Sequence, residues 1–438
     1  MQKRLLILIV IVGFIGLGIF YYIRHFRGIW PAVLPPPGDI ADLLESEKPV
    51  TSSSDGVFIG QRPASSTLET TPTVGPSNAT GFPLKIPAGF SIEIFAKNVP
   101  GARVMALDKF GNMWVSQTKE GLVSVLEITD GKVKNQRVVF RHLRNPHGIV
   151  FDSSNYLDLY IAEEHQITRG PVGADGSRVK IADLPSGGNH VTRTLSFGPD
   201  GRLYVSIGSS CDVCHEQDPL RAAIYSLNKD GSDFHLFARG LRNSVFFTWH
   251  PVTGQMWATD MGRDYLGDNL PPDEINIISE GKNYGWPECY GKNILDETQH
   301  LQIRHQHVRA HCTKPFEEPS HIDIPAHSAP LGLAFVPADP PSLKASEGRR
   351  GWPEDYWYDL FVAYHGSWNR SAPTGYKVVR FQLDNHGTYQ AVEDFITGWL
   401  TKEGALGRPA GFLIQPGGIL YISDDHAGVI YKVRWRGQ

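Results

Sequence analysis

The stretch that decides the fold runs from Gly187 to Pro219 and reads GGNHVTRTLSFGPDGRLYVSIGSSCDVCHEQDP. It contains an apolar segment, Thr194-Leu-Ser-Phe, a turn sequence, Gly198-Pro-Asp-Gly201, and an alternating segment, Leu203-Tyr-Val-Ser-Ile207. Turn residues with period-2 alternation on both sides predict a β-hairpin. His190 precedes the first predicted strand and a Cys-x-x-Cys follows the second, so residues able to do chemistry lie at both ends of the hairpin.

The same unit recurs along the chain. Its six copies begin at Ala102, His147, Thr194, Asn243, Pro330 and Pro409. Further apolar segments follow several copies, such as Ala223-Ile-Tyr-Ser-Leu. Four-stranded units that recur at intervals of roughly 45–60 residues are typical of propeller blades. We therefore predict an all-β, six-bladed β-propeller, with a sandwich or an elongated β-solenoid as alternatives, and expect the long insertion from Ser279 to Ala329 to lie over the rim.

Composition agrees with a turn-rich β protein. The 438 residues include 45 glycines and 31 prolines, and aromatic residues make up 11%. Strands favour aromatic side chains, and numerous turns use glycine and proline. The formal net charge of -4 provides no basic field, so composition argues against a nucleic-acid-binding protein.

The N-terminal part of the chain reads differently from the rest. Residues Leu5 to Ile23 are uncharged and mostly apolar, and as a helix they would span about 28 Å, close to a bilayer core. We predict a single-pass signal anchor at 1–27, with a cleaved signal peptide as the alternative. A Pro/Ser/Thr-rich linker is expected at 28–81 and the propeller at 82–438.

Four cysteines form two local pairs, Cys211 with Cys214 and Cys289 with Cys312. In a chain with an export segment, an even number of cysteines favours disulfides. A zinc site built from all four is the alternative. We therefore expect the propeller to lie on the extracytoplasmic side of the membrane.

Several ordered motifs carry a family resemblance. They are the His190 hairpin, Gly240-Leu-Arg-Asn243, Asp273-Glu-Ile-Asn-Ile-Ile, Gly281-Lys-Asn-Tyr-Gly-Trp-Pro287 and Gly407-Arg-Pro-Ala-Gly411. Together they resemble the glucose/sorbosone dehydrogenase family, six-bladed quinoproteins related to soluble pyrroloquinoline quinone (PQQ) glucose dehydrogenase. The Cys211 and His365-Gly-Ser-Trp-Asn-Arg370 stretches look closest to the sorbosone-type branch.

The resemblance implies a base and a set of cofactor ligands. His190 matches the family's catalytic base, and a neutral imidazole suits proton abstraction near pH 7. The family has a carboxylate just before this histidine, where this chain has Asn189. The residues that match cofactor-binding positions, or lie close to them, are Arg242, Asn243, Arg408, His147 and His365. A second family arginine is replaced by Ala410, and a family lysine near His365 is missing.

The resemblance also implies calcium. Gly262 and Arg263 match positions whose backbone carbonyls hold the catalytic ion, while Asp273, Glu274 and Tyr284 resemble a second, structural site. A solvated acidic pair at the start of a strand is the alternative reading of Asp273 and Glu274.

Aromatic residues near the predicted rim suggest sugar contacts. Trp286 and Tyr290 are candidates to stack on a sugar, with burial in the propeller core as the alternative reading.

These features predict a membrane-anchored quinoprotein that oxidises an aldose or a related sugar aldehyde, with PQQ and Ca²⁺ as cofactors and an electron acceptor that the sequence does not identify. Two other functions remain open. One is a non-catalytic propeller that binds a glycan or a protein, and the other is a calcium-dependent hydrolase of the lactonase type.

Overall fold

The computed structural model describes residues 75–152, 154, 157–172, 177–298, 312–338 and 351–437. The anchor predicted at 1–27 and the linker up to residue 74 lie outside these ranges. Within them, no helix has both the length and the apolar character needed to cross a membrane. In the described ranges, the helical residues are the 3-10 turn Glu354–Tyr356 and the pair Glu297 and Thr298, and the regular structure is otherwise β.

The described residues form thirty strands, which are numbered here in chain order. The N-terminal strands are β1 (Ser77–Asn78) and β2 (Phe90–Ala96). Blade 1 contains β3 (Ala102–Leu107), β4 (Met113–Gln117), β5 (Leu122–Thr129) and β6 (Lys132–Phe140). Blade 2 contains β7 (Ile149–Phe151), β8 (Asp158–Glu163), β9 (Gln166–Pro171) and β10 (Val179–Asp183). Blade 3 begins with β11 (Leu195–Phe197), β12 (Leu203–Ile207), β13 (Ala223–Leu227) and β14 (His235–Arg239).

The remaining strands complete the ring. Blade 4 contains β15 (Phe247–Trp249), β16 (Met256–Asp260), β17 (Asp273–Ile278) and β21 (Ile322–Ile324). Three short strands lie between β17 and β21 in the chain: β18 (Lys282–Asn283), β19 (Cys289–Tyr290) and β20 (Ile294–Leu295). Blade 5 contains β22 (Pro330–Phe335), β23 (Leu360–Tyr364), β24 (Lys377–Leu383) and β25 (Tyr389–Ile396). After the small hairpin of β26 (Leu400–Thr401) and β27 (Gly404–Ala405), blade 6 contains β28 (Pro409–Gln415), β29 (Ile419–Asp424) and β30 (Val429–Trp435).

The six-bladed, all-β prediction is confirmed, and the hairpin that began the sequence analysis is observed as β11 and β12. Its turn closes through hydrogen bonds from Gly198 N to Arg202 O (2.8 Å) and from Gly201 N to Gly198 O (2.9 Å). Gly201 has a φ of 79°, the left-handed conformation that glycine adopts without strain. The turn sequence therefore determines the register that buries β12 completely.

Strand β2 closes the ring. It pairs antiparallel with β30, from Phe90 opposite Trp435 to Ala96 opposite Ile430, so the chain's N-terminal strand becomes the fourth strand of blade 6. β1 then adds in parallel to β2, within the range predicted as linker. Pairing the first strands with the last leaves blade 6 complete and removes an exposed sheet edge.

One segment of the structure differs from the expected layout. The segment predicted as an insertion, Ser279 to Ala329, supplies the outermost strand of blade 4, β21, and a fifth strand of blade 3, β18. The segment therefore belongs partly to the sheets. Even a strand of two or three residues can pair with the unbonded backbone groups at the edge of a neighbouring sheet.

Phe90 anchors the closing strand in the core. Its side chain is fully buried, and its ring centroid lies 4.8 Å from that of Trp435 and 5.1 Å from that of Phe395. We expect Phe90→Ala to lower the free energy of unfolding by about 3–5 kcal/mol, the usual cost of a phenylalanine-sized cavity. Urea unfolding followed by fluorescence measures it.

The matched control is Phe110→Ala, because Phe110 is 76% exposed in a blade 1 turn. Its effect should stay within about 0.5 kcal/mol. Equal effects of the two substitutions would show that β2 does not contribute to closure.

Candidate functional site

The topology brings the predicted site residues to one end of the ring, here called the mouth. In an antiparallel blade, the start of the innermost strand and the end of the second strand lie at the same end. His147, His190, Arg242, Asn243 and Arg408 precede innermost strands, while Gly262, Arg263 and His365 follow second strands. These eight residues, from five blades, therefore converge at the mouth.

His190 is held as one tautomer. Its Nδ1 lies 3.0 Å from the carbonyl oxygen of Ser209 and 2.8 Å from the Ser209 hydroxyl, which itself donates to Cys211 O. A carbonyl oxygen only accepts, so Nδ1 carries the proton and donates it to Ser209. Nε2 is thereby left with a free lone pair on a ring that is still partly exposed.

A glycine allows His190 to approach Asn243. A Cβ at Gly208 would lie 2.6 Å from His190 Cβ and 2.8 Å from Asn243 Oδ1. No side chain fits at those distances. Gly208 therefore permits His190 and Asn243 to pack against the same side of its backbone.

The disulfide loop holds both His190 and Arg242. The structure contains both predicted disulfides, Cys211–Cys214 and Cys289–Cys312. Between the first two cysteines, Asp212 accepts from Arg242 Nη2 (2.7 Å), and its carbonyl accepts from Arg242 Nε (2.8 Å). Such a fork restrains a guanidinium in two directions, and the side chain is almost fully buried.

Arg242 and Asn243 are fixed by their backbones as well. Asp260, at the end of β16, accepts from Arg242 N (3.0 Å) and Asn243 N (2.6 Å). Burial raises the pKa of Asp260 to about 7, although these hydrogen bonds and Arg242 oppose the rise. The same arrangement recurs in blade 6, where Asp424 accepts from Arg408 N (2.9 Å).

Two arginines that sequence reasoning did not assign surround His190. Arg193 Nη1 donates to His190 O (2.9 Å), and Arg221 Nη2 donates to Gly187 O (2.8 Å). Arg193 Nε and Arg221 Nη1 are buried without a partner. Burial, followed by the charges of Arg242, Arg193 and Arg221, lowers the pKa of His190 to about 3. Arg193 comes just before β11 and Arg221 just before β13, and this position at the start of a strand was the signal in the sequence that could have identified them.

A second cluster lies across the mouth and contains Arg103, His147, His365, Asp425 and Arg408. Asp425 accepts from His365 Nε2 (2.8 Å) and pairs with Arg103 (2.7 Å). Arg408 Nε donates to His365 O (3.0 Å), and its Nη2 donates to Gly366 O. Burial would raise the pKa of Asp425, but Arg103 and His365 bring it well below its usual range.

Both histidines of this cluster are neutral. Burial lowers the pKa of His365 to about 3, with Arg408 adding to the effect and Asp425 opposing it. Burial and Arg103 lower the pKa of His147 to about 3. His147 Nδ1 lies 3.2 Å from Thr194 Oγ1, and its Nε2 is buried without a partner. Arg103 and Asp425 had not been assigned, because their partners lie in other blades.

The predicted calcium residues are only partly together. Gly262, Arg263, Glu274 and Tyr284 line one small cleft with an internal volume of about 20 Å³, and Asp273 is not in its lining. Neighbouring side chains on a strand point to opposite faces. Accordingly, Asp273 accepts from Gly262 N (2.8 Å) and Ala329 N (2.9 Å), on the other side of β17 from Glu274.

The cleft is rich in buried carboxylates. Burial and the neighbouring Asp260 raise the pKa of Glu274 to about 8. Asp296 accepts from Arg263 Nη1 (2.8 Å). The Tyr284 hydroxyl donates to Ile277 O (2.7 Å) and accepts from Ser279 N (2.9 Å), so both of its hydrogen-bonding roles are already used.

The two candidate stacking residues line the same cleft. Trp286 and Tyr290 both contribute to its wall, and the indole nitrogen of Trp286 is buried without a partner. Their rings thus face the acidic cleft.

This chain is similar to known proteins both in sequence and in fold. A family model described as TrAA12-like matches residues 84–436. An uncharacterized protein of Borreliella burgdorferi is 30% identical over 370 residues, 80% of this chain and 90% of that protein. A pyrroloquinoline quinone-dependent pyranose dehydrogenase of Coprinopsis cinerea is 24% identical over 346 residues, 68% of this chain and 44% of that enzyme. The solved holo form of the PQQ domain of Coprinopsis cinerea pyranose dehydrogenase superposes with a TM-score of 0.66 at 20% identity, covering 82% of this chain and all of that one.

The three mouth histidines, His147, His190 and His365, should remain neutral well below physiological pH. Each has a pKa of about 3, so each gains its proton only below about pH 4. Histidine-labelled NMR should show three imidazoles that do not titrate between about pH 8 and about pH 5, while in urea all titrate near about 6.5. Loss of a titrating resonance in His190→Gln would contradict the assignment.

The Asp212–Arg242 pair should stabilise the mouth. We expect Asp212→Asn to lower the free energy of unfolding by about 2–4 kcal/mol, because a buried guanidinium loses its carboxylate. The control is Asp233→Asn, which breaks a pair between Arg202 and an aspartate that is 58% exposed, and should cost under about 1 kcal/mol. Urea unfolding measures the loss of unfolding free energy in both variants. Equal losses would contradict the restraint described for Arg242.

Proposed function

This chain belongs to the TrAA12-like family, and on that premise we propose that it is a sugar oxidoreductase of the PQQ type, acting on an aldose or related pyranose. The Coprinopsis relatives, named for PQQ and pyranose oxidation, support this class. The chain spans less than half of that enzyme's length, so the activity is proposed here for the propeller alone. The family inferred from the motifs agrees with these comparisons, and the sorbosone-type branch stays a prediction.

The mouth suits an anionic, planar cofactor. Arg193 and Arg221 each have a buried donor nitrogen without a partner, close to His190. Three carboxylates on a quinone require such donors. These two arginines supply positive charge that Ala410 and the missing lysine do not, so the residues present fit PQQ. The unpartnered donor nitrogens of these two arginines beside His190 are the observation that carries the proposal.

The candidate calcium ligands also fit their ion. The cleft beside Arg242 offers oxygen donors, including Glu274 and the peptide groups of Gly262 and Arg263. Glu274 resists ionisation there because it is buried beside Asp260. A hard divalent cation would offset that cost. We propose that Glu274, Gly262 and Arg263 hold Ca²⁺, with Asp273 bracing the Gly262 backbone from the opposite face of β17.

His190 acts as the base of the proposed reaction. When bound, PQQ would supply the hydride acceptor for oxidation at the sugar's anomeric carbon. Nε2 of His190 takes the proton of the anomeric hydroxyl, because Ser209 keeps Nδ1 protonated. In this chain Ser209 thus orients the His190 ring. The family resemblance gives that role to a carboxylate at the position of Asn189. An anionic cofactor beside the ring would raise the pKa of His190 and make it a stronger base.

We further propose that the propeller is extracytoplasmic and attached to a membrane through residues 1–27, delivering electrons to an acceptor still to be identified. The two disulfides support an oxidising compartment.

Reconstitution tests the proposed class. Full-length protein is loaded with PQQ and CaCl₂, and dye reduction is followed over a panel of aldoses. We expect a cofactor-dependent absorbance change, turnover of at least one sugar, and loss of both after chelation. No optical change and no turnover on any sugar would overturn the class and favour a non-catalytic propeller.

The base is tested separately by His190→Ala. Its kcat should fall by about 10²–10⁴, the usual contribution of a positioned general base. The matched control is His235→Ala, since His235 lies on the outer strand β14 and contacts Asp233. An unchanged rate in His190→Ala would remove the base and leave the class intact.

A further inference from the structure

Two loops of neighbouring blades form a rigid wall at the mouth. Residues 264–270, after β16, and residues 367–371, after β23, are called here the aromatic wall. Hydrogen bonds join them at three points: Asn369 donates to Asp264 (2.6 Å), Arg370 donates to Asn269 (3.1 Å), and Ser371 donates to Asp268 through its backbone N (2.9 Å) and its hydroxyl. Loops joined at three points present their side chains in a fixed arrangement.

The wall displays two large aromatic rings. Tyr265 is 47% exposed and Trp368 is 36% exposed. Their ring centroids are 6.4 Å apart and their planes meet at 89°, so the two rings form a corner. Tyr265 also has a φ of 67°, a backbone conformation that is unusual and costly for a bulky residue. Such strain persists where the surrounding structure enforces it, commonly at functional sites.

The wall is connected to the candidate site. Asp264, adjacent to Tyr265, lies 3.9 Å from Arg242, and its backbone N–H donates to Asp212 (2.8 Å). His327 Nε2 lies 2.8 Å from Gly267 O and supports the middle of the loop. The rings therefore stand beside the groups that we propose bind the cofactor.

We propose that the aromatic wall binds a second pyranose unit, so that the substrate is a neutral oligosaccharide or glycan end oxidised at its terminal ring. This rests on the proposed function. The apolar faces of pyranose rings stack on exposed aromatic side chains, and their hydroxyls take hydrogen bonds from amide and guanidinium groups. Asn269 is exposed four residues after Tyr265, and Arg370 lies two residues after Trp368.

The charges of the wall favour a neutral ligand. Asp264 and Asp268 already accept hydrogen bonds from Asn369 and Ser371, and Arg370 is the cation among them. No excess of positive charge awaits an acidic sugar. A protein partner fits less well, because two rings and Leu270 are far fewer than the 20 or so residues that a stable interface uses on each side.

Binding to the full-length, cofactor-free protein tests the proposal without turnover. Glucose, cellobiose, maltose and their trisaccharides are titrated by calorimetry and by tryptophan fluorescence. We expect at least one disaccharide to bind about tenfold more tightly than glucose, the gain that one stacked ring provides. In Trp368→Ala and Tyr265→Ala this gain should disappear, while Trp368→Phe retains part of it. Phe110→Ala, an exposed aromatic on a blade 1 turn, should leave it unchanged.

The outcomes separate the subsite from the activity. Length-dependent binding that the two substitutions abolish supports the wall even if no sugar is oxidised, in which case the proposed function fails alone. Turnover of monosaccharides with equal affinity for all chain lengths overturns the subsite and spares the function. Self-association of the wild-type protein that Trp368→Ala abolishes, without any sugar effect, would also overturn it in favour of a protein contact.

Discussion

Pairing between β2 and β30 is the constraint on which the rest of this structure depends. It joins residues more than 330 positions apart and completes blade 6. Only a closed ring holds the innermost strands at fixed angles around one axis, and the mouth residues come from at least five different blades. A small opening between blades 6 and 1 would separate Arg103 from Asp425. His365 would then lose part of its support, because it donates to Asp425. Closure therefore sets the site's geometry as well as the protein's stability.

The mouth combines neutral imidazoles with buried arginines. Desolvation alone would favour neutral groups, and the arginines persist because carbonyls and carboxylates bind most of their donors. Arg242 is held by the Cys211–Cys214 loop, which also orients His190 through Ser209. One short covalent loop thus restrains two residues that are far apart in sequence. One donor nitrogen on Arg193 and one on Arg221 remain without a partner, so the site keeps unused hydrogen-bonding capacity.

Sequence predicted what is encoded locally. Alternation and turn residues predicted β12 with its observed bounds and the six repeats, because hairpin chemistry lies within about 15 residues. The closing role of β2 was missed, since nothing near Phe90 indicates a partner at Trp435. β21 was taken for part of an insertion because it has only three residues. Asp273 and Glu274 were grouped as ligands of one ion, although adjacent strand positions face opposite sides. Long-range partners such as Asp425 have no local signature.

The direction of β1 determines the end of the ring at which the described chain begins. β2 runs toward the mouth, and β1 is parallel to it, so Ser77 enters the sheet at the far side of the ring. Ser77 therefore lies at the back of the ring, the end opposite the mouth. If a surface holds that end of the chain, the back faces the surface and the mouth opens outward, where large, freely diffusing molecules can reach it without passing beneath the protein.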